Sequence, residues 1–243
     1  HNNDNWSSSN PKFTLKLLLI TVLLAAISCR TEEMQTLDLA EDPFFNLNVG
    51  NQWVYKTYNN PDFTNPQSSS TFTGRIDSVS IVSTTNIQGF KLAKQRNKIH
   101  FPYSNLHGKV IYRYLRVNTK GHLVSYPVSD NLEITETGGH VIHPGNDFNY
   151  TYNNPILDGP GSPLVGNVLY QLQSETNITV EGTNYTVLPY KGVFTPLSTT
   201  GGLLPKTQDI SYKKGLGLVK EICHAVYGLD YLETRLVSSK IVN

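Results

Sequence analysis

His140 and His143 form the one closely spaced histidine pair in the sequence. Imidazole nitrogens are common zinc ligands, but a zinc site needs three or four ligands at suitable spacing. No cysteine or acidic residue stands at a matching distance in the sequence, and residues three apart on a strand point to opposite faces. We therefore predict no metal site here and expect residues 140–143 to form a solvated loop.

Other combinations of residues in the sequence give little indication of a catalytic site. Cys223 and His224 are neighbours that would diverge on a strand, whereas a cysteine nucleophile needs a histidine facing it. The sequence has no G-x-S-x-G elbow, phosphate-binding loop or dinucleotide fingerprint. Acidic residues are sparse, and two spaced pairs fall at predicted strand edges or turns: Asp130 with Glu133, and Glu175 with Glu181. We predict no catalytic residues and no cofactor.

Tyrosine is abundant, with 14 residues, and its flat rings can stack on sugars or bury area on a peptide. Tyr112 and Tyr114 stand at a period of two, which favours cross-strand packing over binding. Tyr150 and Tyr152 lie instead in a Gly/Pro/Asn-rich region, residues 138–167. We take these two as candidate ligand-binding residues.

The elements that would position such residues follow an apolar segment, Leu17–Ile27. It is about half the length that a bilayer span requires. Lys12 and Lys16 precede it and small residues follow, as in a secretory signal peptide, although a buried core helix is the alternative. Residues 26–29, AISC, resemble the lipobox of bacterial lipoproteins. This resemblance implies cleavage after residue 28 and acylation of Cys29, so residues 1–28 are left out of the predicted fold.

The resemblance also implies a location. Multiple acyl chains anchor a protein firmly to a membrane without spanning it. Residue 30 is Arg rather than the Asp that signals inner-membrane retention in many enterobacterial lipoproteins, and Glu32–Glu33 is similar to the export signals of Bacteroidota surface lipoproteins. We expect an outer-membrane anchor, on either the periplasmic face or the cell surface, with residues 29–43 as a lipidated tether.

Composition limits the rest of the chain. Residues 44–243 suit one domain with a packed core. The balance of 20 Lys+Arg against 19 Asp+Glu gives a net charge of +1, which offers no field for nucleic acid, and we predict no nucleic-acid partner. Cys223 is the one cysteine besides Cys29, so an acylated Cys29 leaves no intramolecular disulfide.

The patterning predicts strands. Trp53 and Tyr55 share one face of a strand, residues 71–85 alternate with a bulge near Ser78, and residues 111–117 and 122–126 form a hairpin in which Gly121 takes a positive φ. We predict about ten strands, with two at the C-terminus, and an all-β antiparallel sheet curled into a barrel, half-barrel or sandwich.

Two short blocks carry a family resemblance. Residues 50–55, GNQWVY, and 212–220, YKKGLGLVK, resemble paired signatures of uncharacterised Bacteroidota lipoproteins, and no activity comes with that resemblance. From the residues themselves, Gly215 and Gly217 allow a tight turn or bulge, and Leu218 or Val219 would pack on Trp53. The blocks would then hold the sheet together, with a binding groove at Trp53 as the alternative. Asp77–Ser78–Val79 resembles a Bacteroidota O-glycosylation motif, which makes Ser78 a candidate site.

These observations predict a non-enzymatic outer-membrane lipoprotein that acts as a binding or envelope-assembly component for a glycan, a protein or a lipid. The first alternative is a surface hydrolase acting on glycans or peptides, with a polar site in loops 138–167 and 195–206. The second is a lipid-carrying half-barrel, which would have a large apolar interior.

Overall fold

A computed structural model describes residues 44–65, 67–158, 160–198 and 203–242. Within these ranges the protein is all-β, without helix. The strands are β1 (Gln52–Asn60), β2 (Thr71–Ile87), β3 (Phe90–His100), β4 (Val110–Val117), β5 (Leu123–Pro127), β6 (His140–His143), β7 (Thr151–Leu157), β8 (Leu164–Leu172), β9 (Thr176–Val180), β10 (Thr183–Pro196), β11 (Lys206–Lys213), β12 (Gly217–His224) and β13 (Tyr231–Lys240).

All thirteen strands belong to one antiparallel sheet, as the sequence predicted for the fold class. Its order is β6-β5-β4-β3-β2-β1-β13-β12-β11-β10-β8-β7, and β9 pairs with β10 beside this path. The first and last strands of the chain's fold therefore meet in the middle, where β1 pairs with β13. The sheet ends at β6 and β7, which do not pair with each other, so it curls without closing.

Tight turns explain why most strands pair with their sequence neighbours. Gln88 and Gly89 both have positive φ, 53° and 83°, between β2 and β3. Glu181 and Gly182 repeat this conformation between β9 and β10, with φ of 49° and 78°. Such two-residue turns match the right-handed twist of a hairpin. Gly121 has a φ of 76° in the hairpin of β4 and β5, which confirms that prediction.

The core lies mainly on the concave face of the curled sheet. Side chains from both arms of the sheet meet there, including Trp53, Tyr55, Leu115, Tyr190 and Leu236. A second cluster lies on the opposite face, since Leu92 and Val124 neighbour the concave-face residues Ala93 and Leu123 along their strands. In that second cluster Arg116 is buried; its Nη2 donates to the carbonyl oxygens of Thr135 and Glu136.

The region from 138 to 167 is more regular than predicted. Residues 140–143 are not a solvated loop but form β6, because they pair with β5. The same region contains β7, whose Pro155 is tolerated because β7 is an edge strand.

Two further expectations were wrong. The register of β2 shifts between Ile81 and Ser83 against β3, and not near Ser78. The C-terminal region contains three strands instead of two, because residues 214–216 form the turn between β11 and β12. Among the described residues, no helix has the length and apolar character to cross a membrane.

Candidate functional site

The two sequence blocks meet at the centre of the sheet. Trp53 Nε1 donates to the Leu216 carbonyl oxygen at 2.7 Å, and the Tyr55 hydroxyl donates to the Leu218 carbonyl oxygen at 3.1 Å. Gly215 and Gly217 have φ of 73° and 106°, so the chain can turn beneath the indole. The predicted structural role of the blocks, holding β1 against the β11–β12 hairpin, agrees with these contacts.

A set of paired polar side chains occupies one side of the concave face, on β2 and β3. Arg75 makes two bonds to Asp77, from Nε to Oδ2 at 2.7 Å and from Nη2 to Oδ1 at 3.0 Å. Asn97 Nδ2 also donates to Asp77 Oδ1, at 2.9 Å. We call Arg75, Asp77 and Asn97 the charged wall. Both carboxylate oxygens of Asp77 are engaged, so its buried charge is compensated within the wall.

Rings occupy the facing side, on β7, β8, β10 and β11. Tyr152 and Tyr170 stack with centroids 6.3 Å apart and planes at 29°, and Tyr170 lies 5.3 Å from Tyr190. We call Tyr152, Tyr170, Tyr190 and Tyr212 the tyrosine wall. Burial raises the pKa of Tyr170 and of Tyr212 to about 12, so these rings are uncharged hydrogen-bonding groups at physiological pH.

The missing side chain of Gly192 leaves space for the Tyr170 ring of the tyrosine wall. A Cβ atom at Gly192 would lie 2.6 Å from Tyr170 Cε1 and 2.8 Å from Val168 Cγ1. Gly192 pairs with Tyr170 in the ladder of β10 and β8, so the ring lies directly over the glycine. The Tyr170 hydroxyl donates to Gln208 Oε1, which directs the ring along the concave face.

Two cavities lie between the walls. The smaller, of about 190 Å³, is lined by the charged wall and by apolar side chains that include Trp53 and Leu115. The larger, of about 350 Å³, is lined by the tyrosine wall together with His140, Asn154 and Gln208. Four residues line both cavities, which makes them neighbours along one groove: Arg113, Tyr212, Leu218 and Glu221.

Charged groups lie where the cavities adjoin. Arg113 is exposed within the groove, and its Nε donates to Gln95 Oε1. Glu221 is partly accessible, but the surrounding protein removes enough water to raise its pKa, an effect that Arg113 and Arg75 oppose. Within the described residues, Arg113 has no carboxylate at salt-bridge distance.

Two buried polar atoms in these cavities have no hydrogen-bond partner within the described part of the chain. They are the hydroxyl oxygen of Tyr190 in the larger cavity and Oδ1 of Asn97 in the smaller one. Tyr190 is 2% exposed, and burial raises the pKa of its hydroxyl strongly. Since buried polar groups are nearly always paired, these two atoms indicate where a ligand could bond.

The two ends of the sheet are joined across the groove by histidines. His143 Nε2 donates to the Leu188 carbonyl oxygen on β10 at 3.0 Å, while Nδ1 accepts from Gly145 N at 3.1 Å. Burial lowers the pKa of His143 to about 4, so the ring is neutral at physiological pH. His122 bonds Asp147 at 2.9 Å and thereby attaches the segment between β6 and β7. This bond holds the pKa of Asp147 below its usual value.

The structure brings together only some of the sequence-predicted residues. Tyr152 lines the larger cavity and Trp53 the smaller one, whereas Tyr150 packs on His122 and Tyr190. Ser78 is exposed on β2, and Cys29 lies outside the described residues. Sequence reasoning missed Arg113, Glu221, Tyr170 and Tyr190. The sequence did contain one indication for Arg113. It occupies every second position of β4 together with Leu115 and Val117, so the three side chains share one face.

Among the described residues, no three His, Cys, Asp or Glu side chains are grouped to hold one ion. The Cys223 thiol is free and lines the larger cavity, where burial raises its pKa.

Comparison with known proteins gives matches in structure only. No family model and no curated protein matches the chain. A protein from Bacteroides fragilis NCTC 9343, provisionally described as exported and as having a YmcC-like fold, is similar at a TM-score of 0.44 with 9% identity. The similarity covers 82% of this chain and 99% of that one.

Two further solved structures are similar at lower scores. One is a protein from Parabacteroides distasonis ATCC 8503, provisionally described as a lipoprotein, with a TM-score of 0.37, 12% identity and coverage of 82% and 99%. The other is a domain from Vibrio parahaemolyticus, provisionally described as an outer-membrane lipoprotein-sorting protein. Its TM-score is 0.24, its identity 10%, and the coverage is 78% of this chain and 84% of that one.

Proposed function

We propose that this protein is a lipid-anchored outer-membrane lipoprotein whose groove binds a small ligand without catalysing a reaction. The anchor is supported by the lipobox-like residues 26–29 and the charged and apolar regions before them. Intact mass spectrometry of the membrane fraction, with and without globomycin, tests it. A chain beginning at acylated Cys29, replaced by the precursor under the drug, is expected; an unacylated chain would overturn the anchor.

The observation that carries the binding role is the unpartnered Tyr190 hydroxyl in a 350 Å³ cavity. This volume is at the lower end of the about 300–1,000 Å³ typical of small-ligand sites. The cavity combines flat rings with a few polar groups, which is the composition of sites that orient a ligand. A ligand hydroxyl or carboxylate would supply the partner that Tyr190 lacks.

Hydrolysis fits this geometry less well. Asp77 and Glu221 line the same smaller cavity, but both oxygens of Asp77 accept bonds from Arg75 and Asn97, which leaves it poorly placed as a nucleophile or base. His122 pairs with Asp147, yet its ring is buried against Tyr150, away from both cavities. Neither arrangement presents an activated nucleophile to the groove.

A long acyl chain also fits less well. The middle of the groove contains Arg113 and Glu221, and an alkyl chain beside them would remove water from charged groups without replacing its hydrogen bonds. The ligand is therefore one that carries polar groups along its length.

Cys223 provides a test of occupancy, because its thiol lines the larger cavity. The rate of its alkylation by a maleimide at mildly alkaline pH is measured on the full-length protein in detergent. Probes are digalacturonate, galactobiose and decanoate, and a Cys29→Ser variant shows that the signal comes from Cys223. Saturable slowing by any probe supports binding in the groove. Unchanged rates with all three would overturn the proposed binding role.

A further inference from the structure

We propose that the ligand of this groove is an acidic saccharide whose ring stacks on the tyrosine wall and whose carboxylate pairs with Arg113. This inference rests on the proposed binding function and names the class of ligand. It follows from three features of the groove: the supply of hydrogen-bond donors, the rings, and the unpaired guanidinium.

The guanidinium is oriented but not neutralised. Arg113 Nε is committed to Gln95 Oε1, and Gln95 is itself buried, so the planar group is held in one direction. The structure gives its two terminal nitrogens no hydrogen-bond partner among the described residues. These two nitrogens match the two oxygens of a carboxylate in a bidentate pair. Arg75 differs, since it already has such a pair with Asp77.

Glu221, the acidic residue that lines both cavities with Arg113, does not form an ion pair with it. Its pKa is raised by burial, so its carboxyl group takes up a proton more readily than an exposed one.

The rings and amides on the other side favour a sugar over a simple acid. Tyr152 and Tyr170 are stacked nearly parallel, and such flat apolar faces can pack against the C–H face of a pyranose ring. Asn154 and Gln208 add side-chain amides to the lining, which can both donate to and accept from hydroxyls. Tyr190 lines the same cavity, and its unpartnered hydroxyl is the group that a ring hydroxyl would bond. A short aliphatic acid would leave these groups without partners.

The test compares digalacturonate with galactobiose, which has the same ring size without the carboxylates. Equilibrium binding is measured by calorimetry on the full-length protein in detergent. We expect the acidic disaccharide to bind about 10- to 100-fold more tightly, as one charge-assisted pair allows. Arg113→Gln should remove this difference, because the variant lacks the guanidinium that pairs with the carboxylate. Arg96→Gln is the matched control, because Arg96 lies next to Gln95 on β3 and lines neither cavity.

The outcomes separate this inference from the binding role. Equal affinity for the two sugars, or an Arg113→Gln variant that keeps the difference, would overturn the acidic ligand and leave the binding role standing. Protection of Cys223 by decanoate alone would likewise overturn the saccharide class only. If no probe binds or protects Cys223, both proposals fail. Circular dichroism and thermal melting of each variant confirm that Arg113→Gln is folded, which is expected because Arg113 is exposed.

Discussion

The charged wall and the tyrosine wall face each other across one groove, but they differ in how far their buried polar groups are hydrogen-bonded. In the charged wall, Arg75 and Asn97 together satisfy both oxygens of Asp77, so the buried charge is compensated internally. In the tyrosine wall, the Tyr190 hydroxyl is buried without a partner in the described residues. Internal pairing stabilises a fold, whereas an unpaired group is costly to the fold and available to a ligand. The Arg75–Asp77 pair of the first wall is thus mainly structural, whereas the Tyr190 hydroxyl of the second wall and Asn97 Oδ1 at the edge of the first are the groups left for a ligand.

The largest expected effect comes from breaking the charged wall. Arg75→Met should lower the free energy of unfolding by about 3 kcal/mol, because Asp77 would keep a buried charge with only Asn97 beside it. Urea denaturation measures this loss. The double variant Arg75→Met/Asp77→Asn should lose less, since a neutral amide needs no counter-charge. A loss below about 1 kcal/mol for the single variant would contradict a structural charged wall.

Lowering the pH should reduce the stability of the fold through His143, which packs against the tyrosine wall. His143 contacts Tyr190 and Tyr212, and burial lowers its pKa from 6.5 to about 4. The unfolded chain therefore binds the proton first, so stability falls as pH drops from about 6.5 to about 4. A shift of this size corresponds to about 3 kcal/mol at the acid end.

Denaturation curves at a series of pH values check this dependence. His143→Gln should be less stable at neutral pH but should lack this part of the pH slope, while His100→Gln, at an exposed position, should keep it. Loss of the His122 bond to Asp147 adds to destabilisation at still lower pH, because the pKa of Asp147 is lowered in the folded state. An unchanged slope in His143→Gln would be inconsistent with a neutral, buried His143.

A smaller effect comes from crowding the tyrosine wall. Gly192→Ala should cost about 1–3 kcal/mol of stability, because the new methyl group overlaps the Tyr170 ring and Val168. It should also weaken digalacturonate binding by displacing that ring. Adding Tyr170→Leu should recover part of the stability, since the overlap with Val168 remains, but not the binding, as measured by urea denaturation and calorimetry. If Gly192→Ala binds normally, the ring of Tyr170 is not part of the ligand surface.

The smallest changes in stability are expected when either of two tyrosine hydroxyls is removed. Tyr190→Phe removes a hydroxyl without a partner and should change the free energy of unfolding by less than about 0.5 kcal/mol or raise it slightly. Tyr55→Phe removes the bond to the Leu218 carbonyl and should cost about 1 kcal/mol. For binding the order reverses, with Tyr190→Phe weakened and Tyr55→Phe nearly unchanged. Equal stability losses in the two variants would remove the distinction between paired and unpaired hydroxyls.

Local signals in the sequence were sufficient for much of the fold. The alternation of Trp53 and Tyr55 and the glycine at position 121 depend on neighbours in the chain, and the structure confirms both. The edge strand β6 was missed because its burial comes from the curl of the sheet. His143 is buried by Phe44 and Tyr212, which lie far from it in sequence. Periodicity over a few residues cannot report such contacts.

The candidate site was less accessible to sequence reasoning. Of the residues proposed, Tyr152 and Trp53 line the cavities, but Arg113, Tyr170 and Tyr190 were not recognised. Tyr170 and Tyr190 lie on the paired strands β8 and β10, and Arg113 on β4 approaches them only because the two arms of the sheet curl together. A site formed by residues that are far apart in the sequence leaves no motif of fixed spacing in the chain.

A crystal structure of the full-length protein with digalacturonate tests the binding role of the tyrosine wall most directly. The account predicts a sugar ring against Tyr152 and Tyr170, a ligand oxygen within 3.2 Å of the Tyr190 hydroxyl, as normal hydrogen bonding requires, and a carboxylate on Arg113. A disaccharide bound outside the groove, or a Tyr190 hydroxyl paired only with water while the sugar is present at saturation, would contradict it.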